Sequence, residues 1–180
     1  VCVVGGSGGA GATTFAAALA TAAARETSPA EVRPVTLLDA DPLGPGIERV
    51  AGLEDAVGAT WGPLLESAGR LGSRSLRAAL PQRDRLAVLG WGRGTRVALE
   101  PQVVREVVSA AQRGSSLVVA DLSRYLDAAV EELLRRCDHL VVVTTLTSAA
   151  VASAAQLVAQ VRTTVLGHVV RGVRRVLELH

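Results

Sequence analysis

The 180-residue sequence contains no methionine and no lysine, and aromatic residues make up only 2% of it. Because 49% of the residues are hydrophobic, the core must be built from valine, leucine and alanine, which suits helices packed closely on a sheet. No apolar run approaches the roughly 18 residues that a membrane span needs, and no secretion leader is evident. We therefore expect one soluble, cytoplasmic α/β domain.

Charge and cysteine content exclude further classes of protein. All 19 basic residues are arginine and 17 residues are acidic, so the net charge is only +2. Such a small, scattered excess gives no strong footprint for a nucleic-acid backbone. Cys2 and Cys137 lack the spacing of a metal site, so we interpret them as buried, reduced thiols. Trp61 and Trp91 are interpreted as packing anchors.

Short apolar runs alternate with segments of helical periodicity along the whole chain. Strands are predicted at about 1–4, 35–38, 86–89, 117–120, 140–143 and 165–170. Helices are predicted at about 13–26, 62–68, 75–80, 101–111, 126–137 and 148–161. Strands that are repeatedly separated by helices predict a mostly parallel sheet covered on both faces, which is a three-layer αβα sandwich.

The most informative segment is a glycine-rich loop, GGSGGAGATT, between the first predicted strand and the first predicted helix. Glycines let a backbone wrap around phosphate oxygens, and the helix start adds free N–H groups. In the P-loop frame GxxxxGK[ST], Gly6, Gly11 and Thr13 match, whereas Ala12 replaces the lysine that reaches the β- and γ-phosphates. The predicted phosphate-binding residues are Gly6, Ser7, Gly8, Gly9, Ala10, Gly11, Ala12, Thr13 and Thr14.

Two other interpretations of the loop stay open at this point. Gly6, Gly8 and Gly11 also spell GxGxxG, the fingerprint of a Rossmann dinucleotide site, which expects an acidic residue about 20 positions further on. Asp39 lies 28 residues beyond Gly11, later than that rule prefers. The third interpretation is a tight turn that binds nothing. Only the P-loop interpretation gives Thr13 a role, as a ligand of Mg²⁺.

Carboxylates follow two of the predicted strands. Asp121 ends the apolar run LVVAD, which is the form of a Walker B residue that holds Mg²⁺ through water opposite Thr13. Asp39 and Asp41 lie two apart on one turn at the carboxyl end of the sheet, where ligands bind in such folds. We predict Asp41, with Asp39, as the residues that position or deprotonate a water. The alternative is an Asp-Pro turn with solvated charges.

With these motifs together, the sequence resembles the deviant-Walker P-loop ATPases of the MinD/ParA group over nearly its whole length. Within that group it is most similar to the CpaE/TadZ-like septum site-determining proteins of actinobacteria. The stretches that carry the resemblance are GGSGGAGATT, LLDADPLGPGIERVAGLED, LRAALPQRDRLAVLGW and VVADLSRYLDAA.

The resemblance implies an ATP- and Mg²⁺-binding spatial regulator of septum placement and cell division, or of pilus or secretion assembly. It implies a homodimer formed through the nucleotide face and protein partners from those machineries. In this scheme Thr13 and Asp121 hold Mg²⁺, and Asp41 positions the attacking water. It also implies that residues 1–180 form a single P-loop domain of a longer chain, which has a receiver-like domain upstream. No membrane-targeting helix is evident.

The sequence departs from the group at several charged positions. A signature lysine early in the loop is replaced by Ser7, and the second lysine is replaced by Ala12. We therefore expect weak or absent hydrolysis, with Arg49 or Arg124 near the acidic turns as substitutes for the lost charge. Ser123 stands where the group often has proline. A pseudo-ATPase interaction module and a dinucleotide-binding protein remain alternative functions.

Overall fold

The computed structural model describes residues 1–26, 33–66, 71–93, 96–166 and 175–179. Its strands are β1 Cys2–Gly5, β2 Val35–Ala40, β3 Gln82–Arg83, β4 Leu86–Leu89, β5 Leu117–Leu122, β6 His139–Val143 and β7 Arg175–Leu179. Its helices are α1 Ala12–Glu26, α2 Ile47–Val50, α3 Trp61–Glu66, α4 Ser73–Ala79, α5 Pro101–Gly114, α6 Ala128–Arg135 and α7 Ser148–Val161. A π-helical segment, Arg162–Leu166, continues α7.

The strands form one sheet in the order β3-β4-β2-β5-β1-β6-β7. All neighbouring strands are parallel except the short β3, which pairs antiparallel to β4 at the edge. In this order β5 lies between β1 and β2. The usual Rossmann order places β1 directly beside β2, so the topology argues against the dinucleotide-binding alternative.

Helices cover both faces of the sheet, as predicted. Successive strand residues point to opposite faces, so Val3 packs in one core while Cys2 and Val4 pack in the other. The first core lies under α1 and α2, and the second lies under α3 to α7. The small residues of α1 let its backbone approach the sheet; those buried are Ala16, Ala17, Ala20 and Ala24. The predicted three-layer αβα sandwich with a mostly parallel sheet is confirmed.

The predicted strand at 165–170 is wrong in the part that the structure describes. Val165 and Leu166 belong to the π-helical segment, while 167–170 lie outside the described residues. The β-branched residues here favour a strand, but the Thr163 hydroxyl donates to the Ala159 carbonyl at 3.0 Å, and the helical path continues. The last strand is instead Arg175–Leu179.

Two further elements were not anticipated. The helix α2 is a single turn, and β3 has two residues joined to β4 through Asp84, which takes a positive φ of 54°. Such short elements have too few residues to show a periodicity. The helix α6 begins at Ala128 rather than near Leu126, because the Asp127 carboxylate caps it by accepting from the Val130 N–H at 2.9 Å.

The sequence-based interpretations of the cysteines and tryptophans are confirmed. Cys2 and Cys137 are buried and form no disulfide. Trp61 and Trp91 are buried with ring centroids 6.2 Å apart. Among the residues described, no helix combines the length and the apolar character needed to cross a membrane.

Candidate functional site

The glycine-rich loop joins the end of β1 to the start of α1. Gly9 and Gly11 have φ values of 71° and 87°, a region that glycine adopts without steric cost. The Phe15 N–H donates to the Gly11 carbonyl at 2.8 Å, which begins the helical hydrogen bonding. The N–H groups of the first turn therefore have no partner within the helix and are available to an anion.

Gly6 serves packing rather than loop flexibility. Its N–H donates to the Val143 carbonyl on β6 at 2.7 Å. A Cβ at Gly6 would lie 2.6 Å from the Ala154 Cβ and 3.1 Å from the Ala154 Cα on α7. By contrast, a Cβ at Gly8, Gly9 or Gly11 would enter open space. The start of the loop is thus seated against α7, and the rest of the loop presents an unobstructed backbone surface.

We expect Gly6→Ala to lower the free energy of unfolding by about 1–3 kcal/mol, because the added methyl group overpacks the contact with α7. Urea denaturation measures this change. The matched control is Gly8→Ala, which adds the same methyl group where no atom lies within 4 Å; we expect that change to stay within about 0.5 kcal/mol. Equal losses in the two variants would show that the loop is not seated on α7.

The strand order brings the two predicted Mg²⁺ ligands together. β5 pairs with β1, so Asp121 at the end of β5 lies beside the loop that follows β1. Thr13 and Asp121 line the same cavity, and the Thr13 hydroxyl is close enough to act on the Asp121 carboxylate. Burial raises the pKa of Asp121 to about 7, hydrogen bonding by the Thr13 hydroxyl acts in the opposite direction, and the nearby carboxylates of Asp39 and Asp41 raise the pKa further.

Asp39 organises the turn after β2 instead of facing the loop. It pairs in register with Asp121 and is buried. Its carboxylate accepts from the N–H groups of Asp41 at 3.0 Å and Ile47 at 2.9 Å, and its carbonyl accepts from the Trp61 indole at 2.6 Å. Burial raises the pKa of Asp39 to about 6, although the two backbone hydrogen bonds lower it. These bonds fix the conformation of the 41–47 segment.

A cavity of about 320 Å³ opens beside the loop. Asp41 and Asp121 line it, whereas Asp39 does not. Arg124 also lines it and Arg49 does not, so the structure separates the two arginines that the sequence left equivalent. The remaining lining residues are Gly5, Ser7, Gly9, Ala10, Gly11, Ala12, Thr13, Thr14, Pro45 and Leu122.

These residues fit a phosphate chain with a bound Mg²⁺. The loop offers an unobstructed backbone at Gly9 and Gly11, the start of α1 offers free amides, and Thr13 with Asp121 offers two oxygen donors. Proteins often bind Mg²⁺ through one or two carboxylates together with phosphate and water oxygens.

Sequence reasoning missed Arg96, which holds the turn that carries Asp41. Its guanidinium donates to the Pro42 carbonyl at 3.3 Å and to the Gly44 carbonyl. Arg96 lies 54 residues from Pro42 along the chain, and no motif surrounds it. No signal in the sequence could have assigned it to this turn.

Known proteins resemble this chain in sequence and in fold. No protein-family model matches the sequence. Two uncharacterised proteins of Mycobacterium tuberculosis, from strains CDC 1551 / Oshkosh and ATCC 25618 / H37Rv, are each 41% identical over 176 residues. The match covers 96% of this chain and 47% of each relative, so the chain spans about half the length of the curated relatives it matches.

Solved structures match nearly the whole chain. A ParA family ATPase from Chlorobium tepidum TLS superposes with a TM-score of 0.73 at 18% identity, covering 99% of this chain and 71% of that one. The chain has the fold of the MinD and ParA ATPases. MinD of Pyrococcus horikoshii OT3, in complex with Mg-ADP, gives 0.64 at 17% identity, with coverages of 92% and 67%. The MinC:MinD complex of Aquifex aeolicus gives 0.68 at 19% identity, with coverages of 98% and 67%.

Proposed function

We propose that this domain binds Mg-ATP as a nucleotide-dependent switch with weak or absent hydrolysis. The observation that carries the proposal is that Thr13 and Asp121 line one cavity with the glycine-rich loop, in a MinD/ParA-type fold. In this role the loop amides hold the phosphates, and Thr13 and Asp121 hold Mg²⁺. Bound ATP would supply a phosphoanhydride whose cleavage can separate two states of the protein.

The side chains that line the cavity favour slow hydrolysis of ATP. Asp41 lines the cavity, and its Oδ1 accepts from the Leu43 N–H at 3.0 Å, which orients the carboxylate. Asp41 can therefore accept a hydrogen bond from a water in the cavity and position it. Ala12 and Ser7 contribute no cation, so charge that develops on the phosphates in the transition state lacks the stabilisation that lysines at these two positions give. This absence supports a binding switch in preference to a fast ATPase.

We propose that the domain acts as a homodimer joined through the nucleotide face. Three large apolar side chains are exposed in the loops that follow β2, β5 and β6, at the edge of the sheet that carries the phosphate loop. They are Leu43 at 92%, Tyr125 at 77% and Leu146 at 75% exposure. A second copy facing this edge would cover them, and such cover supplies a hydrophobic driving force.

For the cellular role, we propose spatial regulation of cell division at the septum, or of pilus or secretion assembly, through protein partners of those machineries. The support is the similarity to MinD structures, one of them of a septum site-determining protein and another solved with MinC. Localisation of a fluorescent fusion of the full-length protein tests this role. A uniform distribution that does not respond to cell-cycle stage would contradict it.

Removing the Thr13 hydroxyl tests the nucleotide site directly. We expect Thr13→Ala to weaken Mg-ATP binding by at least about tenfold, because a hydrogen bond or ligand to a charged centre is worth about 1.5 kcal/mol or more. Isothermal titration calorimetry measures the affinity. The control is Thr21→Ala on the same helix, where the hydroxyl donates to the Ala17 carbonyl and does not line this cavity. If the unaltered domain gives no heat with millimolar Mg-ATP, the proposed function is wrong.

The replacement of both lysines favours one second candidate, a pseudo-ATPase that uses the fold as a surface for partners. In that case ATP turnover is absent altogether. Steady release of ADP that disappears in Asp41→Ala would rule the second candidate out.

A further inference from the structure

The chain contains no lysine, and an arginine, Arg124, lines the cavity beside the glycine-rich loop. Arg124 lies three residues after Asp121, in the segment that leaves β5. Among the described residues that line the cavity, Arg124 is the one cationic side chain, while Asp41 and Asp121 supply two carboxylates. A phosphate chain entering the cavity would meet these negative charges, and Arg124 is placed to offset them.

The side chain of Arg124 lies beside the start of the loop. Its Cδ is 3.9 Å from the position that a Cβ of Gly5 would take, at the end of β1. Its Nη2 donates to the Ser153 hydroxyl on α7 at 2.9 Å. The side chain is therefore held between β1 and α7, close to the loop amides.

Among the described residues, no acidic side chain pairs with the charge of Arg124. Ser153 is neutral and takes one of the five N–H donors that a guanidinium offers. By contrast, Arg96 donates to the Pro42 and Gly44 carbonyls. Arg124 therefore keeps N–H donors that can bind a ligand in the cavity.

We propose that Arg124 binds the phosphate chain from within the same chain and replaces the missing lysine. The proposal rests on the proposed function. A planar guanidinium can contact two phosphate oxygens at once, which a lysine cannot do with comparable geometry. Arg124 lines the same cavity as Asp121, which would hold Mg²⁺, so its guanidinium would contact the phosphates nearest the metal. Arg124 would therefore favour ATP over ADP.

The test is calorimetry of Mg-ATP and Mg-ADP binding to Arg124→Gln. Glutamine keeps a donor for Ser153 but carries no charge. We expect Mg-ATP affinity to fall about tenfold, with a smaller fall for Mg-ADP and a weaker dependence on salt concentration. The matched control is Arg49→Gln, which removes an arginine that does not line the cavity and leaves both affinities unchanged.

A double variant separates lost charge from lost folding. Adding Ala12→Lys to Arg124→Gln returns a cation to the cavity, and we expect Mg-ATP affinity to recover to at least that of the unaltered domain. If the unaltered domain binds Mg-ATP and Arg124→Gln binds it equally well, the inference is wrong and the proposed function stands. The same holds if the double variant shows no recovery. If the unaltered domain binds neither nucleotide, the proposed function itself is wrong.

Discussion

Replacing Ala12 by lysine is expected to tighten Mg-ATP binding about ten- to a hundredfold, because a charged hydrogen bond contributes about 1.5–3 kcal/mol. Ala12 is the first residue of α1 and lines the cavity together with Asp41 and Asp121. A lysine there returns the charge to the position that reaches the β- and γ-phosphates in a P-loop. Calorimetry gives the affinity, and a coupled assay of ADP release gives any gain in turnover.

The control for this gain is Ala18→Lys, which adds the same charge at an exposed position on α1 outside the cavity. It separates a specific contact from the general effect of net charge on an anionic ligand. If Ala12→Lys binds Mg-ATP no more tightly than Ala18→Lys, the loop is not shaped to hold a phosphate chain.

The stability of the nucleotide-free domain is expected to fall by up to about 7 kcal/mol between about pH 4 and pH 7, since each unit of pKa shift corresponds to about 1.4 kcal/mol. The pKa of Asp39 is raised from 3.8 to about 6 and that of Asp121 from 3.8 to about 7, mainly by burial. In this window the folded protein holds protons that the unfolded chain has released. Stability therefore decreases as the pH rises, and below the unfolded pKa the slope from these groups vanishes. Urea denaturation at a series of pH values measures the effect.

Asp121→Asn is the control for this pH dependence. The amide does not ionise, so we expect the decrease between about pH 6 and pH 7 to become shallower while the contribution of Asp39 remains. If the variant shows the same slope as the unaltered domain through this range, burial does not raise the pKa of Asp121.

Local patterns predicted much of the fold. The strand at 86–89 and the helix at 148–161 have the bounds that apolar periodicity indicated. What could not be predicted is the order of the strands in the sheet. The insertion of β5 between β1 and β2 brings Asp121 close to Thr13, although more than a hundred residues separate them in the sequence. A single sequence contains no local signal for this long-range strand pairing.

The acidic turn shows a second limit of sequence reasoning. Asp39 and Asp41 look equivalent in the sequence, yet they have different surroundings. Asp39 is buried and bonds to two backbone N–H groups, whereas Asp41 lines the cavity. The difference depends on the path of the 41–47 segment, which Arg96 and Trp61 help to fix from distant positions. Hydrolysis, dimer formation and the upstream receiver-like domain stay predictions.

The contact between Gly6 and Ala154 links two distant positions in the chain by their size. Interiors are close-packed, so volume added on one side of such a contact must be removed from the other. A glycine at position 154 would remove the shortest contact, 2.6 Å, that an alanine at position 6 makes. In descendants of this chain the two sites should therefore change together, with their combined bulk staying near that of a single methyl group.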